Sequence, residues 1–234
     1  MAVPEVLARL ASIPGVRTAA ELRAPSPDAS RSSDVLPVLP ALAGCLPDGG
    51  LRRGTTVAVS GSVALVLALL AGATQNGSWA TLTGLPELGL TAAAELGVVL
   101  DRVALVPHPG GEAVAVVSAL IDGFDLVVLG PAVARGLAPQ VARRLAGRIR
   151  NRGTVLLTTG PGLDADLHLQ VAQRRWHGTT PDGHGHLQTR DVLVTGHGRG
   201  LARPRPLSIQ LPGIGGAVTA DEAAPGQRPV EVAG

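Results

Sequence analysis

A chain of 234 residues that is 45% hydrophobic and 16% charged can bury one domain-sized core and is too apolar to be wholly disordered. Its basic residues are all arginine, 20 against 18 acids, and the net charge of +2 is weak evidence for a nucleic-acid partner. The one cysteine, Cys45, excludes an internal disulfide and a cysteine zinc cluster, so a reducing cytoplasm is the expected location.

The first residues, MAVPEVLARLASIPG, lack a basic segment followed by an apolar core, so no signal peptide is expected. Residues 3–12 read as a short amphipathic helix with Val6, Leu7 and Leu10 on one side. The stretch APSPDASRSS (24–33) is too polar and proline-rich to pack and reads as a linker. Strands are expected at 55–59, 78–82, 102–106, 124–129 and 154–158, with helices near 62–72, 91–96, 111–122 and 138–150. Continuous apolar strands separated by helices predict an α/β domain whose mostly parallel sheet is covered on both faces, with Val57, Val59, Val127, Val128, Leu156 and Leu157 at its centre. The most apolar run, Val57 to Ala73, is broken by Ser60, Gly61 and Ser62 and is short for a span of about 20 residues, so no membrane segment is expected.

After residue 160 the segments 165–176, 186–195 and 205–211 are strand-like with no helices between them, which predicts an antiparallel extension turning at Pro181-Asp182-Gly183. From Pro212 the periodicity ends and a flexible tail is expected. The expected division is a helix and linker over 1–33, a core over 34–211 and a tail over 212–234.

The stretch LPDGGLRRGTTVAVSGSVALVLALLAG (46–72) is laid out like the entrance to a P-loop, with a short strand, a turn and a leucine-rich helix. A P-loop needs a glycine arch around the phosphates, a lysine to neutralise them and a hydroxyl for Mg²⁺. Here the turn is clipped to Ser60-Gly61-Ser62. Taken in order, the lead-in PALAGCLPDGGLRRGTTVAVSG, the segment AAAELGVVLDRVALVPHPGGEAVAVVSALI and the strand FDLVVLG resemble the core of the RecA recombinase family. The trailing pattern RRWHGTTPDGHGHLQTRDVLVTGHGRG, with a later LPG, resembles ImuA-type proteins, and the lysine-free, loop-trimmed form looks like the ImuA′ variety of high-GC bacteria.

The resemblance implies a RecA-like fold and a role in the SOS response. ImuA-type proteins support mutagenic translesion synthesis alongside ImuB, an inactive Y-family polymerase homologue, and an error-prone replicative-type DNA polymerase. Matched by position, the family's water-activating Glu falls on Leu85, with Glu87 two residues away, and its Walker B Asp falls on Gly130. With lysine, metal ligand and water-orienting carboxylate missing, ATP hydrolysis is expected to be absent. The connections that correspond to the family's DNA-binding loops, 130–139 and 159–166, are short and poor in basic residues, so DNA contact is expected to be indirect or weak.

The expectation is therefore an adaptor acting by protein–protein contact, without catalytic residues, cofactor or metal. The alternative is a nucleotide-binding or DNA-binding regulatory protein with a residual phosphate site at Ser60, Gly61 and Ser62. An Arg replacing the missing Lys has no loop to carry it, the nearest, Arg52 and Arg53, preceding the strand. Candidate partner or phosphate surfaces are Val6, Leu7 and Leu10 at the N-terminus and the cluster Arg143, Arg144, Arg148, Arg150 and Arg152, set on a helix with an apolar stripe of Val141, Leu145 and Ile149. With no Tyr, one Phe and two Trp, base stacking has few candidates. His177, His184, His186 and His197 lack the acids or cysteines that would complete a metal set. Asp101, Asp122 and Asp125 read as element ends, and Gly196 to Gly200 as a hairpin turn.

Overall fold

The apolar runs become the centre of one sheet in the computed structural model, which describes residues 34–180, 182 and 184–220. The expected N-terminal helix with Val6, Leu7 and Leu10, the linker 24–33 and residues 221–234 lie outside the described residues. A small antiparallel pair, β1 (Val35–Leu36) and β2 (Leu51–Arg52), frames the entry, with 3₁₀ turns at Pro40–Cys45 and Pro47–Gly49 between. The body then runs β3 (Thr56–Ser60), α1 (Val63–Gln75), β4 (Ala80–Thr83), α2 (Leu90–Glu95), β5 (Val103–Val106), α3 (Ala113–Gly123), β6 (Leu126–Leu129), α4 (Pro131–Gly136), α5 (Pro139–Arg152) and β7 (Val155–Thr158). Three strands without helices between them close it, β8 (Leu167–Thr179), β9 (Gly185–Gly198) and β10 (Arg205–Gln210), followed by the short β11 (Thr219–Ala220).

The nine-stranded sheet has the order β11-β10-β9-β8-β3-β7-β6-β4-β5. Strands β8, β3, β7, β6, β4 and β5 are parallel, and β9 to β11 are antiparallel. This is the expected α/β architecture with its antiparallel extension. Alternation places Leu126, Val128, Val155 and Leu157 in the core under α1, and Val127, Leu129 and Leu156 in the core under α3 to α5. All six side chains expected at the sheet centre are buried. Helix α1 is buried from Leu65 to Thr74, because the chain around Leu36, Leu42 and Leu46 joins the same core. No helix among the described residues is long and apolar enough to cross a membrane.

Three details depart from the sequence reading. The connection 130–139 holds helix α4, whose six residues start at Pro131 with its pre-set φ and are flanked by glycine and proline that hide the helical period. The expected tail does not begin at Pro212. Leu211 N donates to Arg190 O at 2.7 Å, Arg190 N donates to Pro212 O at 2.8 Å, and β11 pairs with β10, so the chain stays on the sheet to Ala220. A glycine-rich turn needs only backbone bonds, so it leaves no periodicity to read. Finally, β9 runs through Gly196 to Gly198, and the turn itself lies beyond. A side chain at Gly196 would meet the Cys45 carbonyl 2.3 Å from its Cβ, which explains glycine inside a strand.

Candidate functional site

At the carboxyl ends of the parallel strands, the site where a P-loop would begin is a closed turn. Gly61 sits at φ +86°, and a Cβ there would lie 3.0 Å from Val171 O and 3.3 Å from Val171 Cβ, so β8 packs directly on the turn. Ser62 caps α1 by accepting a bond from Leu65 N at 3.4 Å. Ser62 Oγ also accepts from Arg190 Nη2 at 3.2 Å. The same guanidinium donates through Nε to Leu211 O at 2.7 Å and stacks on Trp176, 5.1 Å from the ring centre. Arg174 Nη2 lies 3.4 Å from where a Gly61 Cβ would be. Burial first, and then the charge of Arg174, lowers the Arg190 pKa from its ordinary value. The trimmed turn thus has two arginines at the positive end of α1. Sequence reasoning missed both, since Arg190 stands 128 residues from Ser62 and only the β8–β9 hairpin brings it back.

The two positions matched to lost carboxylates come together. Gly130 N donates to Thr83 O at 2.7 Å, and a Cβ on Gly130 would fall 2.0 Å from Gly84 O and 3.2 Å from Leu85 Cδ2. Strand ends β4 and β6 are therefore zipped shut, with a Leu85 methyl group over the junction. An aspartate at 130 has no room unless Gly84 moves. Glu87 is exposed and makes none of the polar contacts found at the turn.

The arginine cluster on α5 is divided. Asp122, near the end of α3, accepts from Arg148 Nε at 2.7 Å, from Arg148 Nη2, and from Arg152 Nε at 2.9 Å. The Arg148 hydrogen bond chiefly holds the Asp122 carboxyl below its ordinary pKa, with Arg152 adding to it. Arg148 and Arg152 therefore tie α5 to α3 while their side chains stay 45% and 50% exposed. Arg144 is exposed. Arg143 and Arg150 face a cavity of about 350 Å³ with Gly54, Asp164, Asp166 and Arg199, and it shares Arg143, Thr56, Ala146 and Asp164 with a neighbouring cavity of about 370 Å³ floored by Ile149 and Leu156. This groove lies between α5 and the segment 159–166, which crosses from β7 to β8 over β3 with no helix of its own. The segment is anchored where Thr56 N donates to Asp166 Oδ2 at 3.0 Å and Asp166 meets Arg199 at 3.0 Å.

The remaining signals have local partners. His177 Nε2 lies 2.5 Å from Asp191, His184 Nδ1 lies 3.0 Å from Asp182, and His197 stacks on His168 at 5.0 Å. Among the described residues, no group of three or more His, Cys, Asp or Glu could hold a metal ion. Asp125 accepts from Arg53 at 3.0 Å and from Trp79 N at 3.1 Å, fixing the starts of β4 and β6. Cys45 is fully buried, donates to Leu42 O at 3.2 Å, and has its pKa pushed up to about 11 by burial.

Comparison with known proteins places this geometry. The sequence pattern of the MT3502 N-terminal domain matches residues 44–163, which span the turn, both zipped strand ends and α5. An uncharacterized protein of Mycobacterium tuberculosis, Rv3395c, is 40% identical over 177 residues, 73% of this chain and 82% of the relative. Among solved structures, the KaiC-like protein PH0186 of Pyrococcus horikoshii matches with a TM-score of 0.50 at 17% identity, over 79% of this chain and 100% of that one. At that identity the likeness supports a shared RecA-like fold and nothing about activity.

Proposed function

Since the chain belongs to the MT3502 N-terminal domain family, and since its RecA-like sheet is closed where that fold would hold phosphate, we propose that it is a non-catalytic accessory protein working by protein–protein contact. The observation that carries this is the junction of Gly130, Gly84 and Leu85, which leaves no place for a metal-binding carboxylate beside a turn without lysine. The process is DNA-damage-induced, mutagenic translesion synthesis, with an ImuB-like polymerase homologue and an error-prone replicative-type polymerase as partners. The resemblance of the trailing residues 174–200 to ImuA-type proteins supports that choice.

Two experiments test it. Purified protein should release phosphate from ATP no faster than buffer, with or without single-stranded DNA; turnover that follows the protein through a final column and vanishes on substituting Gly61 would refute it. A tagged chain drawn from DNA-damaged cells, with mass-spectrometric identification, should bring down a Y-family polymerase homologue. We place that contact at one or both termini, so removal of 1–33 or 221–234 should weaken it and replacement of Ser60-Gly61-Ser62 should not. A folded pocket variant that alone loses the partner would put the working surface at the turn.

A second reading has one observation in its favour. Arg190 and Arg174 supply cationic groups beside Gly61 and Ser62 that the local sequence lacks. A residual nucleotide site would show as an ATP-dependent rise in melting temperature that Arg174→Ala removes.

A further inference from the structure

The β8–β9 hairpin is much longer than the sheet that supports it. Strand β3 last pairs at Ser60 with Gln170, and the chain after β10 last bonds β9 at Arg190, so the described residues from Ala172 to Thr180 and from His184 to Thr189 form a two-stranded ribbon flanked by no third strand. Its residues from Ala172 to Thr180, and again from His184 to Gln188, are all exposed. A register shift between Val171 and Gln173 decides which side chains share a face. Without it, Gln173 and Arg175 would follow Val171 on the α1 side. With it, Arg174 pairs with Val192 and Trp176 with Arg190, so Arg174, Trp176, Arg190 and Gln188 share the side that carries buried Val171 and Val192.

Among the described residues of the hairpin, no carboxylate lies on that side. Asp191 belongs to the opposite one, where it engages His177 and Gln210, and Asp182 is at the tip with His184. What remains is two guanidinium groups beside the α1 terminus and an indole that is 43% exposed although Arg190 stacks on it. An exposed Trp flanked by cations, on a narrow ribbon with free edges, suits a polyanion whose units also carry flat faces. An acidic peptide would satisfy the arginines and leave the indole unused.

We propose that this ribbon face binds single-stranded nucleic acid, with phosphates at Arg174 and Arg190 and a base stacked on Trp176. The site is separate from the connections 130–139 and 159–166, and it does not depend on the translesion reading. Composition hid it, since one of only two tryptophans stands between the two arginines.

The test uses the full chain and a fluorescein-labelled oligo-dT followed by anisotropy over a salt series. Binding should fall with salt with a log–log slope of roughly −1.4 for two phosphate contacts. Trp176→Ala should weaken it about 5- to 150-fold, and Arg174→Ala should weaken it and flatten the slope by about 0.7. Arg203→Ala, on the exposed connection between β9 and β10, should change nothing. Arg190 is left intact because it also holds Leu211 and Ser62. The proposal is overturned if the wild-type chain fails to bind oligo-dT at low salt, or if Trp176→Ala and Arg174→Ala bind as tightly as the parent. It is equally overturned if polyglutamate displaces the oligonucleotide at equal charge concentration and itself loses affinity in Trp176→Ala, which would make the ribbon a site for an acidic protein.

Discussion

Putting the missing carboxylate back at position 130 probes the zipped strand ends directly. An ideal Cβ at Gly130 lies 2.0 Å from Gly84 O, whereas real Cβ atoms essentially never approach closer than 3.0 Å, so β4 and β6 must part by about 1 Å. They must do so where Gly130 N and Thr83 O are held at 2.7 Å, and where Gly84 is fixed at φ +72°. Overpacking of this kind costs about 1–3 kcal/mol. For a chain of this size each kcal/mol lowers Tm by about 2–4 °C, so Gly130→Ala alone should lower Tm by roughly 2–12 °C. Gly130→Asp carries the same clash and adds a carboxylate against the Leu85 side chain, which costs several kcal/mol more out of a total stability of about 5–15 kcal/mol. The assay is a pair of thermal melts with urea unfolding as a cross-check, alongside phosphate release. The expected order is parent, then Gly130→Ala, then Gly130→Asp, none of them hydrolysing ATP. A Gly130→Asp protein that melts with the parent, or that gains Mg²⁺-dependent turnover, refutes the claim that this position is closed.

Other perturbations have defined outcomes. Leu156→Ala, which empties a fully buried position under α3 to α5, should cost about 2–5 kcal/mol by urea titration, and Val128→Asp should abolish soluble expression; a soluble, folded Val128→Asp protein would mean the strand is misassigned. Asp122→Asn should loosen α5 from α3 and lower stability slightly at pH 7. Because Asp122 has a lowered pKa when folded, that difference should be full above its unfolded value of 3.8 and vanish as pH falls below it, so an effect that grows in acid would contradict the clamp. Cys45 should resist a thiol reagent at pH 8 in the native protein and react fully in urea, and prompt native labelling would show that it is not enclosed.

The strands and helices from 55 to 158 were legible because both-face burial writes continuous apolar runs, and because α5 keeps Val141, Leu145 and Ile149 on one stripe. Helix α4 was not, as six residues between glycine and proline hold less than two turns of pattern. The relict turn could be found from Ser60-Gly61-Ser62, yet what fills it could not. Arg174, Arg190 and Trp176 reach it through a register shift in a long hairpin, and that shift has no local sequence signature. The division of the arginine cluster was equally invisible, for it depends on Asp122 facing Arg148 and Arg152 from another helix.

The position of β3 between β7 and β8 has a consequence for how the chain acquires its structure. The strand is laid down early in synthesis, yet Thr56 waits for Asp166, 110 residues later, before its second edge is closed. Until then the leucine-rich α1 has no complete sheet to rest on. Pairings this distant in sequence form slowly, and apolar surface waiting for them is exposed to association. Ribosome-bound chains ending before the second edge strand should therefore remain protease-sensitive throughout, and protection should arrive in one late step once β8 has emerged.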